Sequence, residues 1–176
     1  MSVGLQRCQG CGSELLPVDG PTHAYMTSSP ACWQAFGLVL EREYSSPELL
    51  PVHRLTVDAW AVQHPGDGSR RAIQSVGPHL ARLMIQLDGL DDGKANAAML
   101  RFAARKSSLP ALDPPAAFTM TVADVVGAVD VNEHRLAVHR WAEAAWADWR
   151  HHHGFVRNWV AAADQPSEDS ERSSRK

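Results

Sequence analysis

The residues with the clearest capacity for chemistry are the three cysteines. Cys8-Gln9-Gly10-Cys11-Gly12 sets two thiols two residues apart, with glycines that let the backbone curl around an ion. His23 and Cys32 extend the pair to C-x2-C-x11-H-x8-C, a Cys3His set suited to tetrahedral zinc. Four protein ligands would leave no open position, so the zinc (Zn) is expected to be structural. Cys32 falls in the first turn of a predicted helix, whose positive end favours a thiolate. Other readings stay open: Cys32 as a small core residue, His23 as a loop histidine, a different fourth ligand, or no metal. A redox role for the C-x2-C pair is disfavoured because no βαβ pattern surrounds it.

Nine histidines form the second set of candidates. No H-E-x-x-H or other i,i+4 pair occurs, which removes the commonest single-helix zinc centre. His53 and His64 share one helical face but are separated by about 16 Å along it. A second centre would have to gather residues from separate helices. The candidates are His53, Asp58, His79 and His152, with His153 beside the last and Asp58 orienting one ring. They could serve as metal ligands or as a metal-free acid and base in a hydrolase or group transferase. The competing reading is that these histidines are packed neutral rings. By analogy of fold alone, a DinB-like bundle holds a metal with three histidines from different helices.

The elements that must position these residues read as helices. Residues 1–29 are rich in Gly, Pro, Ser and Cys and form an irregular lobe. Ser29-Pro30 opens a helix in which Cys32, Trp33, Phe36, Val39, Leu40 and Tyr44 recur at helical spacing. A second helix is predicted over about 51–64 and is stopped by Pro65-Gly66-Asp67-Gly68. Ser69 caps a third, with a kink expected at Gly77-Pro78. A fourth begins near Asp91, and the prolines between 107 and 118 mark an extended connector. Thr121 to Asp124 and Asp130 to Glu133 have capping-box spacing. One long helix is predicted over 131–163, with Trp141, Trp149 and His152 on its inward stripe. Residues 164–176 lack a hydrophobe and read as a disordered tail. The fold class is all-α: a bundle of about five to six helices over 30–163, carrying the zinc lobe.

The chain contains the succession Cys8-x-x-Cys11-Gly12, Gly20-Pro-Thr-His23-x-Tyr25, Ser29-Pro30-x-Cys32-Trp33, His53-Arg-Leu-Thr-Val-Asp58-Ala-Trp60 and Gln63-His64-Pro65-Gly66, followed by Ser69-Arg-Arg, Ile73-Gln-Ser-Val76 and His79-Leu80. Together with the terminal Trp/His-rich helix, these motifs resemble the DUF5946 family, a bacterial family of unknown function. Trp60 stands where the resemblance leads one to expect Tyr as often. The resemblance covers about residues 8–160. It implies relatives rather than a reaction, and it supports His23 and Cys32 as ligands because both fall within shared motifs.

Seventeen Lys and Arg against twenty Asp and Glu give a formal charge of −3, without the basic footprint of a nucleic-acid binder. No stretch approaches ~20 apolar residues, and no signal-like segment opens the chain, so a membrane span is excluded and a cytoplasmic location expected. A small molecule or another protein is left as the partner, its identity unspecified.

Overall fold

A computed structural model describes residues 4–89, 92–104 and 108–164. Seven α-helices follow a two-residue antiparallel pair, β1 (Gln6–Arg7) and β2 (Glu14–Leu15), registered Gln6 to Leu15 and Arg7 to Glu14. The helices are α1 (Pro30–Ser45), α2 (Leu50–Val62), α3 (Arg70–Leu87), α4 (Asp92–Ala104), α5 (Ala123–Val126), α6 (Val131–Asp148) and α7 (His153–Asp164). The architecture is the all-α bundle expected, with its lobe at the N-terminal end. The tail expected beyond 164 lies outside the described residues.

Local chemistry sets the helix ends. The Ser29 hydroxyl accepts from the Cys32 N–H at 3.2 Å, and Pro30 takes the first position, where an N–H has no helical partner. Ser69 caps α3 in the same way through the Ala72 N–H. The Thr121 N–H donates to Asp124 at 2.8 Å, and the Glu133 N–H donates to Asp130 at 2.8 Å, while Glu133 reaches back to accept from Val129. In α3 the helix continues through Pro78. The preceding Gly77 leaves room for Leu109, whose Cδ1 would lie 2.6 Å from any Cβ there.

Helix α2 is the centre of the bundle. It packs against α1, α3 and α6, and buries Val52, Leu55, Thr56, Asp58, Ala59, Trp60, Ala61 and Val62. Its exit ties three regions together. Val62 offers its carbonyl to the Trp149 indole N–H at 3.1 Å. Gln63 donates to the Met120 carbonyl and accepts from the Trp141 indole. His64 follows and faces the cysteines.

The single helix predicted over 131–163 is corrected. It breaks after Asp148 through a 3-10 turn at Arg150–His152, and α7 restarts at His153. Trp149 is fully buried and anchored to Val62, so the chain pivots about it. The Trp146 carbonyl, near the break, accepts from His153 Nε2 at 2.8 Å, and the His153 ring stacks on Trp146 at 3.8 Å. The inward stripe survives as Val138, Trp141, Ala145, Trp149 and Val156, all buried. His152 is displaced from it to a half-buried position.

Candidate metal centre

The turn between β1 and β2 is the knuckle. The Cys8 N–H donates to the Ser13 carbonyl at 2.8 Å and the Gly12 N–H to the Cys8 carbonyl at 3.0 Å, which curls Cys8 and Cys11 toward one point. Gly12 takes φ +79°, a conformation glycine adopts without a Cβ penalty. Gly10 matters for space: a Cβ there would collide with the Thr27 carbonyl oxygen and the His64 ring. Gly10→Ala is therefore expected to cost about 1–3 kcal/mol, lowering the melting temperature by about 2–12 °C. Thermal unfolding checks this, and an unchanged midpoint would contradict the packing described.

Helix α1 supplies Cys32 from its first turn, and the chain leaving α2 supplies His64. Cys8, Cys11, Cys32 and His64 are all buried, and their ligand atoms lie within 4.8 Å of one another. Cys11 Sγ to Cys32 Sγ is 3.7 Å, Cys32 Sγ to His64 Nε2 3.3 Å, and Cys8 Sγ to His64 Nε2 3.6 Å. A tetrahedral ion with metal–sulfur bonds of about 2.3 Å separates two sulfurs by about 3.8 Å and a sulfur from a nitrogen by about 3.6 Å. The four residues fit such an ion and could hold one.

Neighbouring groups orient the ligands. His64 Nδ1–H donates to the Trp60 carbonyl at 2.6 Å, so Nε2 is the nitrogen that faces the sulfurs and, once deprotonated, the one whose lone pair is free for a metal. Trp60 stacks on the His64 ring at 4.0 Å and on Phe36 at 4.5 Å. Ser29 donates its N–H to Cys8 Sγ while capping the helix that carries Cys32. Without an ion the cluster holds its protons unevenly. The Cys11 and Cys32 sulfurs hold Cys8 well below the usual thiol range, against its burial. Cys11 and Cys8, with burial, push Cys32 up. Burial opposes charge on His64, yet the Cys11 and Cys8 sulfurs outweigh it and raise its pKa to about 9.

His23, expected as the fourth ligand, is not part of this group, and this corrects the sequence reading. Its Nδ1 accepts from the Tyr25 and Met26 N–H groups at 3.4 and 3.2 Å, so it shapes the turn before α1. The ring packs against Tyr25, Trp33 and Trp60. Burial, helped by the Arg71 charge, holds its pKa below the usual value.

The other candidates fall into three hydrogen-bond networks. His53 Nδ1 lies 2.8 Å from fully buried Glu43, which also accepts from Thr56 and from His134 Nε2, and the Tyr44 hydroxyl meets His53 Nε2 at 3.1 Å. Asp58 and His79 do come together, at 2.7 Å, with Arg82 and Gln86 closing around the same carboxylate. His152 Nε2 instead donates to the Asp113 carbonyl at 2.9 Å. Glu43 and His134 escaped sequence reasoning, as a lone Glu on an apolar face carries no motif. For His64 there was a signal: a histidine just past a helix end, where an imidazole can bond a last-turn carbonyl.

The fold and site define a helical bundle that carries a buried Cys3His cluster at one end. The sequence matches the DUF5946 family over residues 6–150, and the chain belongs to this family of unknown function. No curated protein and no solved structure matches it. No helix among the described residues is long and apolar enough to cross a membrane.

Proposed function

We propose that Cys8, Cys11, Cys32 and His64 hold a structural zinc ion, and that the chain is a zinc-stapled helical scaffold for a small-molecule or protein partner in the reducing cytoplasm. The observation that carries this reading is the convergence of three buried sulfurs on a histidine nitrogen whose tautomer is set by the Trp60 carbonyl. Thiolate-rich tetrahedral sets select zinc over the hard cations, which prefer oxygen. Four protein ligands leave no vacant position for substrate, so the ion's role is to join the lobe to α1 and α2. The lobe offers few hydrophobes of its own, and a metal supplies the staple such a segment needs.

The proton inventory gives a test. At pH 7 metal-free His64 is protonated, since its pKa lies near 9, and Cys32 keeps its proton because it is pushed up. Both must deprotonate to bind zinc, so uptake should release about two protons or more per ion. Calorimetric titration with zinc in buffers of different ionisation enthalpy measures this. Release of fewer than about one proton, or no stoichiometric binding, would contradict the ligand set.

A further inference from the structure

A second feature of the bundle lies in the groove where α2, α3 and α4 meet. There a cleft of about 230 Å³ is lined by Leu50, Pro51, Arg54, Arg82, Gln86, Ala95, Asn96 and Met99. Its polar wall is built from the inside. Asp58 is fully buried and accepts from Arg82 through Nε and Nη2, from His79 Nδ1 at 2.7 Å, and from Gln86 Nε2 at 2.6 Å. This grip fixes the plane of the guanidinium, whose Nη1 carries no hydrogen bond among the described residues. Gln86 is pinned a second time by donating to the Arg82 carbonyl. Across the cleft Arg54 donates from Nη1 to the Asn96 side-chain oxygen at 3.2 Å, so what Arg54 and Asn96 have left to offer is N–H. The remaining lining, Leu50, Pro51, Ala95 and Met99, is apolar.

We propose that this cleft binds a small carboxylate carrying a short apolar tail. Arg82 and Arg54 face the carboxylate with planar donor arrays that match its two oxygens. Asp58 and His79 act as positioning residues: they hold Arg82 in place before the ligand arrives, which lowers the ordering cost of binding. Among the described residues Asp58 balances the Arg82 charge and no ion pair balances that of Arg54, which leaves a net positive wall for a single anionic group. The apolar residues take the tail. At about 230 Å³ the cleft has room for a small acid such as hexanoate.

The test uses the full chain with its metal, titrated with sodium hexanoate and followed by amide chemical shifts. Saturable shifts of α2, α3 and α4 residues are expected, with hexan-1-ol, the same tail without the charge, binding at least tenfold more weakly. Arg54→Gln is expected to weaken hexanoate at least fivefold, and Asn96→Asp, which sets a carboxylate against the ligand, at least tenfold. Both positions are exposed, so both variants should melt like the parent. Their melting is measured beside the titration, and Arg54→Lys provides a second, charge-retaining check that should bind between parent and Arg54→Gln. The proposal is overturned by any of three results: no saturable hexanoate binding, equal binding of hexan-1-ol, or unchanged affinity in folded Arg54→Gln and Asn96→Asp. Displacement of hexanoate by an equal concentration of inorganic phosphate would also overturn it, since the tail would then contribute nothing.

Discussion

His64→Ala is expected to abolish stoichiometric metal binding and to destabilise the chain by about 4 kcal/mol or more, the range associated with loss of a metal or a core anchor. For a chain of this size that lowers the melting temperature by about 8–16 °C. The substitution removes the nitrogen that faces Cys8 and Cys32, and with it a ring stacked on Trp60. His23→Ala separates this account from the reading that sequence proximity suggests. It removes ring contacts with Tyr25, Trp33 and Trp60 and the acceptor for two backbone N–H groups, so it should cost about 1–2 kcal/mol while leaving the metal in place. Elemental analysis of the two purified variants decides the matter. Metal retained in His64→Ala, or lost from His23→Ala, would reverse the assignment.

The second large effect is expected at Trp149. Its indole is fully buried, donates to the Val62 carbonyl, and marks the pivot between α6 and α7. Trp149→Ala should cost about 3–5 kcal/mol from the cavity alone. The unpartnered Val62 carbonyl adds to that, in a domain whose whole stability is of order 5–15 kcal/mol. We expect insoluble protein, or a compact state that binds a hydrophobic dye and has lost near-ultraviolet dichroism. Trp149→Phe keeps much of the apolar area and loses the hydrogen bond, so it should fold with a deficit of about 1–3 kcal/mol. A Trp149→Ala chain that melts like the parent would show that the turn between α6 and α7 does not depend on this anchor.

Much of this arrangement was legible in the sequence, and the misses have physical causes. Helix starts were readable because capping is local: Ser29, Ser69 and Asp130 each act within three residues of their own position. Cys8, Cys11 and Cys32 were readable because thiols at knuckle spacing have few other uses. The fourth member of the cluster was not, because closing a longer loop costs only logarithmically more. A histidine far along the chain therefore competes on equal terms with a near one, and His64 is the one that faces the sulfurs because α2 delivers it already oriented by Trp60. The break after Asp148 escaped because periodicity reports which face is apolar, and that face continues through Trp149 to Val156 with or without a turn between. The Glu43 network escaped for another reason. A buried carboxylate is defined by its partners, and Thr56, His53 and His134 converge on it only in three dimensions.

The most direct test of the central claim is X-ray absorption at the zinc edge on purified full-length protein, paired with its metal content. The account predicts about one zinc per chain, with three sulfurs at about 2.3 Å and one imidazole nitrogen at about 2.0–2.1 Å, the nitrogen vanishing in His64→Ala and persisting in His23→Ala. A protein that folds with no metal bound, or a zinc shell dominated by oxygen and nitrogen, would contradict it.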